Sequence, residues 1–250
     1  MDEITGILEQ EGIAVFDKKI CGSIKGNQIY RYIISGSDCI DAWKILFRKT
    51  DRNIIVLPEN YNDGDILSDD EKSISADLSS YTGIDIQKWC ERRWSGYDFD
   101  DEYDELEEIM MEHTGENISE PEPAHSFTLL YEIISNKIYD KMQIVDFRDI
   151  PCYEIPVYMQ FGGWNACPFP KKHAAMLRHW NETYNASFFG TDGAVLEMSA
   201  GNPPDTYEKA HILAKEQMAY CDDIVFQGTM TVERLAKTLV NSTAWYFWWD

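Results

Sequence analysis

The sequence predicts an α/β or α+β fold in which helices pack against a mixed β-sheet, and three observations support this prediction. The run Asn53–Leu57 (NIIVL) is short, continuous and β-branched, and Pro58 ends it, which is typical of a strand covered on both faces. A helix predicted between this run and an earlier strand gives the spacing of a βαβ unit. Asp192-Gly193 lies between two apolar runs and is a strong signal for a β-hairpin.

The first half of the chain alternates helical and strand patterns. An apolar face at Ile4, Ile7 and Leu8 predicts a short helix that Gly12 ends. Two strands are predicted next, over Ile13–Phe16 and Gln28–Ile34. Ser37 or Asp38 is predicted to cap a helix whose buried stripe is Cys39, Trp43, Leu46 and Phe47. A further helix is predicted over residues 84–94. Residues 59–72 are polar and predict an exposed loop.

The second half adds two strands and three helices to the hairpin. The strands are predicted over Met142–Phe147 and along the terminal aromatic run Trp245–Trp249. The helices are predicted over Lys171–Tyr184, from Asp205 or Thr206 to Cys221, and over residues 231–240. Because both faces of the terminal run are aromatic, we expect it to form a strand that is buried on both sides.

The formal net charge of −22 is unevenly distributed along the chain. Residues 1–150 carry 33 acidic and 15 basic residues, whereas residues 151–250 carry eleven and seven. We expect an acidic N-terminal α/β region over residues 1–125, a connecting segment over 126–149 and a C-terminal domain over 150–250. The shortage of Lys and Arg disfavours direct binding to nucleic acid, because contacts to phosphates need cations.

The most acidic segment is residues 98–122, which contain twelve Asp or Glu and no Lys or Arg. Apolar residues nevertheless recur there at helical spacing, at Phe99, Tyr103, Leu106 and Met110. The pattern predicts an amphipathic helix over residues 98–112 with an acidic outer face. This face is either a solvated charged surface or a docking surface for a basic protein partner.

The sequence also indicates where the protein resides. It contains no run of eighteen apolar residues, so no membrane-spanning helix is predicted. The opening Met1-Asp2-Glu3-Ile4 is acidic and lacks the apolar core of a signal peptide. The six cysteines are widely separated and lack zinc-ligand spacing, which favours reduced thiols. We therefore expect a soluble cytoplasmic protein, and we assign no metal or cofactor.

No phosphate-binding, dinucleotide-binding, zinc-protease or nucleophile-elbow motif is present, so no catalytic residue is assigned. The best candidate site is the loop Phe161–Pro168 (FGGWNACP). Its paired glycines permit close backbone approach, and Trp164 and Asn165 offer a stacking surface and an amide. The alternative is a tight turn whose tryptophan fills the core.

Cys167 and His173 allow a second chemical interpretation. Cys167 comes just before a predicted helix, where a thiolate is favoured, and His173 could act as its base. However, His173 shares an apolar stripe with Leu177 and Trp180, which favours a core or capping histidine.

Gln217 also lies on the apolar stripe of its helix, where a buried amide must find hydrogen-bond partners. It either ties a neighbouring loop to the helix or faces a pocket with Tyr220 and Asp222. At the chain end, Asp250 and the terminal carboxylate lie beside Trp248, and we expect a cation near them, with Arg178, Lys171 and Lys172 as the candidates.

Four segments of the second half match the sequence pattern of a bacterial family. They are FGGWNACP (161–168), LRHW (177–180) following His173, EQMAYCDDIVFQG (216–228) and WYFWWD (245–250). With these segments, residues 155–250 resemble the C-terminal domain of the family called domain of unknown function 4253. The resemblance supports the start of the C-terminal domain and implies no particular activity.

We expect the chain to be a protein–protein interaction module, such as an immunity-like protein or an acidic adaptor. The alternative is a small-molecule-binding protein or an enzyme with a pocket in the C-terminal domain, and a third possibility is a structural module without a ligand. The candidate binding residues are Trp164, Asn165, His173, Arg178, Gln217, Tyr220, Asp222, Trp248 and Asp250.

Overall fold

The computed structural model describes residues 2–95, 121–132 and 135–250. These residues contain a mixed seven-stranded sheet with the strand order β1-β2-β4-β3-β5-β6-β7, which confirms the predicted fold class. The strands are β1 Val15–Ile24, β2 Asn27–Ser35, β3 Ile54–Pro58, β4 Lys141–Asp146, β5 Ala186–Thr191, β6 Val195–Ala200 and β7 Ala244–Trp248. Neighbouring strands are antiparallel except β3 and β5, which pair in parallel at Val56 and Gly190.

The described α-helices pack on both faces of this sheet. They are α1 Glu3–Gln10, α2 Cys39–Lys49, α3 Glu71–Ser80, α4 Ile86–Trp94, α5 Ile155–Met159, α6 Pro170–Tyr184, α7 Tyr207–Tyr220 and α8 Val232–Leu239. A π-helical turn over Ile224–Thr229 precedes α8. The acidic helix predicted over residues 98–112 lies outside the described residues. None of the described helices has the length and apolar content that a bilayer crossing requires.

Strand β3 shows how the sheet separates two cores. All five of its residues are buried, as the NIIVL run predicts. Ile54 and Val56 belong to the core beneath α1 and α2, whereas Ile55 and Leu57 belong to the larger core beneath α5 to α8. Because successive side chains of a strand point to opposite faces, β3 lies between two helical layers.

The predicted βαβ unit is present in a split form. Strands β2 and β3 are both antiparallel to β4, so they run parallel to each other on either side of it. Helix α2 connects them. Strand β4 comes from residues 141–146, and strands from both halves of the chain therefore lie in one sheet.

Two N-terminal predictions differ from the structure. The strand predicted to end at Phe16 continues to Ile24, because the turn needs only Lys25 and Gly26, with φ angles of 49° and 81°. Phe47 was expected in the buried stripe of α2 but is 43% exposed. Helix α3 was not predicted, since none of its residues is fully buried and its apolar face is short, consisting mainly of Ile74 and Leu78.

The second half follows its predictions closely. The Asp192 carboxylate accepts hydrogen bonds from the backbone N–H groups of Ala194 and Val195, which fixes the hairpin between β5 and β6. Thr206 and Thr231 cap α7 and α8 through their side chains. The expectation that the terminal strand is buried on both faces is wrong for β7, because Tyr246 on one of its faces is 38% exposed.

Candidate functional site

The loop Phe161–Pro168 folds back onto the first turn of α6. The backbone N–H of Gly163 donates to the carbonyl oxygen of Pro168 at 3.0 Å. Gly162 and Gly163 have φ angles of 101° and 86°, a region that favours glycine. A Cβ atom on Gly162 would lie 2.0 Å from the Pro168 carbonyl oxygen and 2.5 Å from Nε2 of His173. The loop therefore requires glycine at position 162 in order to close over His173.

His173 is completely buried and lies between two other polar side chains. Its Nδ1 atom is 2.6 Å from the hydroxyl oxygen of Tyr220, and its Nε2 atom is 3.5 Å from Sγ of Cys167. Helix α6 begins at Pro170, a position whose backbone N–H would have no partner within the helix, so proline is tolerated there. His173 follows three residues later, in the first turn of α6. The loop Phe161–Pro168, helix α6 and helix α7 therefore meet at the imidazole of His173.

Burial keeps all three of these groups neutral. It lowers the pKa of His173 to about 3, while a hydrogen bond with the Pro168 backbone acts in the opposite direction. Burial also raises the pKa of the Cys167 thiol to about 12 and that of the Tyr220 phenol well above its usual value. A neutral imidazole offers one donor and one acceptor. The hydrogen bond with the Pro168 backbone favours the tautomer with its proton on Nε2, and in that tautomer the hydroxyl of Tyr220 donates to Nδ1.

This protonation pattern does not provide an activated nucleophile. Reactive cysteines have thiol pKa values of about 3.5–7.5, lowered by a positive charge or a helix N-terminus. The Cys167 pKa is raised instead, to about 12, and its neighbour His173 carries no charge. The pair Cys167–His173 therefore matches a buried polar contact within a core.

Aromatic rings surround the imidazole. Phe161 and Trp249 contact the His173 ring edge-on, with centroid distances of 5.1 and 5.6 Å. On the other side of Tyr220, the rings of Trp180 and Phe247 each lie 5.1 Å from its ring. Segments 161–168, 177–180, 216–228 and 245–250 therefore build one aromatic core.

Gln217 is also buried, at 2% exposure, one turn before Tyr220 on α7. Its Nε2 atom has no hydrogen-bond partner among the described residues, so the expected tie to a neighbouring loop is not seen for this atom. Nε1 of Trp249 is likewise without a partner within the described part of the chain. An unpaired buried donor costs about 1–3 kcal/mol.

Trp164 packs against the edge of this core. It is half-buried, contacts Phe161 edge-on at a centroid distance of 5.0 Å and lines a polar cleft of about 730 Å³. The opposite wall of the cleft consists of residues 60–69, and Asp192-Gly193 closes one end. Asn165 is exposed and has a φ angle of 45°. The loop thus faces the cleft with Trp164 and contacts His173 in the core with Cys167.

Within the described part of the chain, no ion pair joins the chain end to Arg178, Lys171 or Lys172. Nε of Arg178 donates to Oε1 of Glu182 at 2.7 Å, one helical turn away. The backbone N–H of Asp250 donates to Oδ2 of Asp223 at 3.2 Å. The structure therefore pairs Arg178 with Glu182 instead of with Asp250.

Asp222 and Trp248 each contact a different residue. Oδ2 of Asp222 is 4.0 Å from Nη2 of Arg93 on α4. The carbonyl oxygen of Trp248 accepts a hydrogen bond from Sγ of Cys221 at 2.9 Å. Among the nine candidate residues, direct side-chain contact joins His173 to Tyr220.

Sequence reasoning missed the polar residues of the cleft beside Trp164. Asn60, Asn62 and Asp65 all lie in the stretch that was predicted to be an exposed loop. Their signal was the concentration of Asn and Asp in that loop, since loops on a rigid scaffold are frequent binding elements. Within residues 2–95, 121–132 and 135–250, His, Cys, Asp and Glu side chains do not form a group of three suited to a metal ion.

The comparison with known protein families agrees with these geometric relations. No curated protein and no solved structure matches the chain. Residues 144–250 match the family model described as Domain of unknown function (DUF4253). The match begins within β4 and covers every segment that meets around His173. The C-terminal part of this chain, residues 144–250, thus carries the sequence pattern of the DUF4253 family.

Proposed function

We propose that the protein is an interaction module, of the immunity-like or acidic-adaptor type, that binds a basic protein partner through residues 98–112. The observation that carries this proposal is the concentration of charge. Residues 96–120 hold eleven of the 44 acidic residues and none of the 22 basic ones, so a tenth of the chain supplies half of the net charge of −22. Such a segment attracts a cationic surface over several ångströms and accelerates association with it.

The apolar stripe in this segment supports docking rather than simple solvation. Phe99, Tyr103, Leu106 and Met110 recur at helical spacing among the carboxylates. Interfaces combine a small apolar centre with a charged rim, and the two together give both affinity and partner choice. A segment with only solvating charges would not need these four residues.

The C-terminal core adds indirect support. Its three polar groups Cys167, His173 and Tyr220 are neutral and packed among aromatic rings, so neither the Cys167 thiol nor the Tyr220 phenol is ionised at pH 7. All six cysteines are thiols and five of them are buried, which supports a reducing compartment such as the cytoplasm.

The proposal is tested by affinity co-purification from the native host at about 0.05 M and 0.5 M salt, with identification by mass spectrometry. We expect a stoichiometric basic protein at low salt that is lost at high salt, because the screening length falls from about 14 Å to about 4 Å. The test variant replaces four segment carboxylates by amides, at Asp104, Glu105, Glu107 and Glu108.

A matched control removes the same number of charges from exposed positions elsewhere, at Glu9, Asp51, Glu91 and Asp149. The control is expected to retain the partner and the segment variant to lose it. Retention of the partner by both variants, or recovery of no basic protein at low salt, would refute the proposal.

A second candidate function is small-molecule binding in the C-terminal domain, and the exposure of Trp164 to the polar cleft favours it. The cleft is lined by amides, hydroxyls and carboxylates, which suits a polyhydroxylated or amine-bearing ligand. A thermal-shift screen of sugars, nucleosides and polyamines tests it. A ligand-induced shift that Trp164→Ala abolishes is expected, and the absence of any shift contradicts it.

A further inference from the structure

A groove along α2 differs from the other clefts of the described residues in its charge. The α2 groove lies between Ile40, Trp43 and Phe47 on one side and residues 125–131 on the other, and its volume is about 490 Å³. Its floor is aromatic. The ring of Phe47 stacks on that of Trp43 at a centroid distance of 5.2 Å, and Phe127 meets Trp43 edge-on at 6.1 Å.

Two aromatic side chains at the mouth of the groove are unusually exposed. Phe47 is 43% exposed and Tyr131 is 38% exposed, whereas Trp43 and Phe127 beneath them are buried. Removing this apolar surface from water would be favourable. An occupant with an apolar body is therefore expected to gain affinity here.

The rim of the groove is cationic. Lys44 and Arg48 are exposed and lie one helical turn apart on α2, and His125 lies across the groove from them. Nε of Arg48 donates to the Lys44 carbonyl oxygen at 3.1 Å, and no described carboxylate lies within ion-pair distance of either cation. Besides the hydrogen bond from Lys49, Arg48 lowers the pKa of Glu11 electrostatically, from beyond ion-pair distance, so neither cation is held in an ion pair with a described residue.

Among the described residues, no Asp or Glu lines the α2 groove. Four other clefts of comparable size in the described part of the chain each contain at least one carboxylate. In a chain with a net charge of −22, a groove whose described lining includes Lys44 and Arg48 but no acidic side chain is complementary to an anion.

The walls of the groove are held in place before any ligand arrives. Nε1 of Trp43 donates to the Ile54 carbonyl oxygen at 3.0 Å. Phe127 stacks on Phe189 at a centroid distance of 3.6 Å. Such preorganisation reduces the free-energy cost of binding. The volume also falls within the range of about 300–1,000 Å³ that is typical of small-molecule pockets.

We propose that the α2 groove binds an amphipathic organic anion, whose aromatic or aliphatic body lies against Trp43, Phe47 and Tyr131 and whose carboxylate or sulfonate contacts Lys44 and Arg48. This proposal uses none of residues 98–112, and it stands or falls independently of the proposed interaction function. The small, half-open shape of the groove favours a small molecule over an extended peptide.

The test compares two fluorescent probes that share one apolar body. 1-Anilinonaphthalene-8-sulfonate carries the negative charge, and N-phenyl-1-naphthylamine lacks it. We expect saturable binding of the sulfonate to the full chain. Lys44→Gln/Arg48→Gln should raise its Kd about fivefold or more, since two exposed charge contacts are being lost. The Kd of the neutral probe should change by less than about twofold.

Two further variants locate the site. Phe47→Ala should weaken both probes, because it removes apolar contact while leaving the charges. Lys19→Gln/Lys72→Gln removes the same charge from exposed positions outside the groove and should change neither Kd. All substituted side chains are exposed, so folding is expected to be retained and is checked by circular dichroism.

Three results would overturn the proposal. The first is an equal loss of sulfonate affinity in the groove variant and in the Lys19/Lys72 control. The second is a wild-type chain that shows no saturable sulfonate binding. The third is a groove that binds an acidic peptide and excludes both probes.

Discussion

Nδ1 of His173 lies 2.6 Å from the hydroxyl oxygen of Tyr220, and both side chains are completely buried. This contact joins the first turn of α6 to the last turn of α7. The segment after Gly162 closes over the imidazole from one side, and Trp249 covers it from another. The sequence pattern shared with the family thus corresponds to one buried polar contact and the aromatic shell that surrounds it.

The first prediction concerns pH. Burial lowers the pKa of His173 to about 3, below the ordinary value of 6.5, so the folded protein keeps the imidazole neutral where the unfolded chain protonates it. The stability that this group contributes is complete above pH 6.5 and falls by about 1.4 kcal/mol per pH unit as the pH drops towards 3. The destabilisation caused by His173→Gln should therefore shrink between pH 7.5 and pH 5 in urea titrations.

His179 provides the control with the opposite sign. Its hydrogen bond with Glu216 raises its pKa, against the effect of burial. Its contribution to stability is therefore present below pH 6.5 and is lost as the pH rises through the folded-state pKa. The destabilisation caused by His179→Gln should grow between pH 7.5 and pH 5. Parallel trends for the two variants would contradict both assignments.

The second prediction concerns the Tyr220 hydroxyl. Tyr220→Phe leaves Nδ1 of His173 as a buried acceptor without a donor, which should lower the free energy of unfolding by about 1–3 kcal/mol. Tyr246→Phe is the matched control, because Tyr246 is 38% exposed on β7, and its effect should stay within about 0.5 kcal/mol. Equal effects of the two substitutions would argue against a donated hydrogen bond to His173.

The third prediction concerns Gly162. Gly162→Ala combines an unfavourable φ angle of 101° with a Cβ atom 2.0 Å from the Pro168 carbonyl oxygen. We expect a loss of about 2–5 kcal/mol, the sum of the backbone and overpacking costs. Gly12 has a φ angle of 81°, but no atom lies within 4 Å of the position that its Cβ would take. Gly12→Ala should therefore lower the free energy of unfolding only by the backbone cost of about 1–2 kcal/mol. Denaturant titration distinguishes the two, and an equal loss would mean that the loop can open without cost.

The fourth prediction concerns thiol reactivity. Cys167 is buried and its pKa is raised to about 12, so native protein at pH 7.5 should show negligible alkylation there by iodoacetamide. Cys21, the half-buried thiol on β1, should be modified first. Peptide mapping by mass spectrometry measures both sites. Rapid native alkylation of Cys167 would indicate a thiolate and would restore the nucleophile interpretation.

Local pattern was sufficient for most of the fold because apolar periodicity and turn residues act within a few residues. The hairpin at Asp192-Gly193 and the caps Thr206 and Thr231 are of this kind. The insertion of β4 between β2 and β3 was not accessible, since it depends on pairing between segments more than 80 residues apart. The exposure of Phe47 was missed because its neighbours on α2 are buried and only the tertiary structure leaves the α2 groove open.

The candidate site was predictable to a similar extent. The place of His173 on an apolar stripe indicates burial, and the structure confirms it. Its partner Tyr220 is 47 positions away and is fixed only by the packing of α6 against α7. The ion pair of Arg178 with Glu182 was accessible from sequence, because the two residues are at i and i+4 on a helix.

The proposed interaction function is tested most directly by measuring the affinity for the co-purified basic partner as a function of salt concentration. For the wild-type chain, we predict that Kd rises at least about tenfold between 0.05 M and 0.5 M NaCl, as electrostatic attraction is screened. The variant neutralised at Asp104, Glu105, Glu107 and Glu108 should bind weakly at both concentrations. A Kd that is independent of salt, or unchanged by the four substitutions, would contradict the claim that the acidic segment binds the partner.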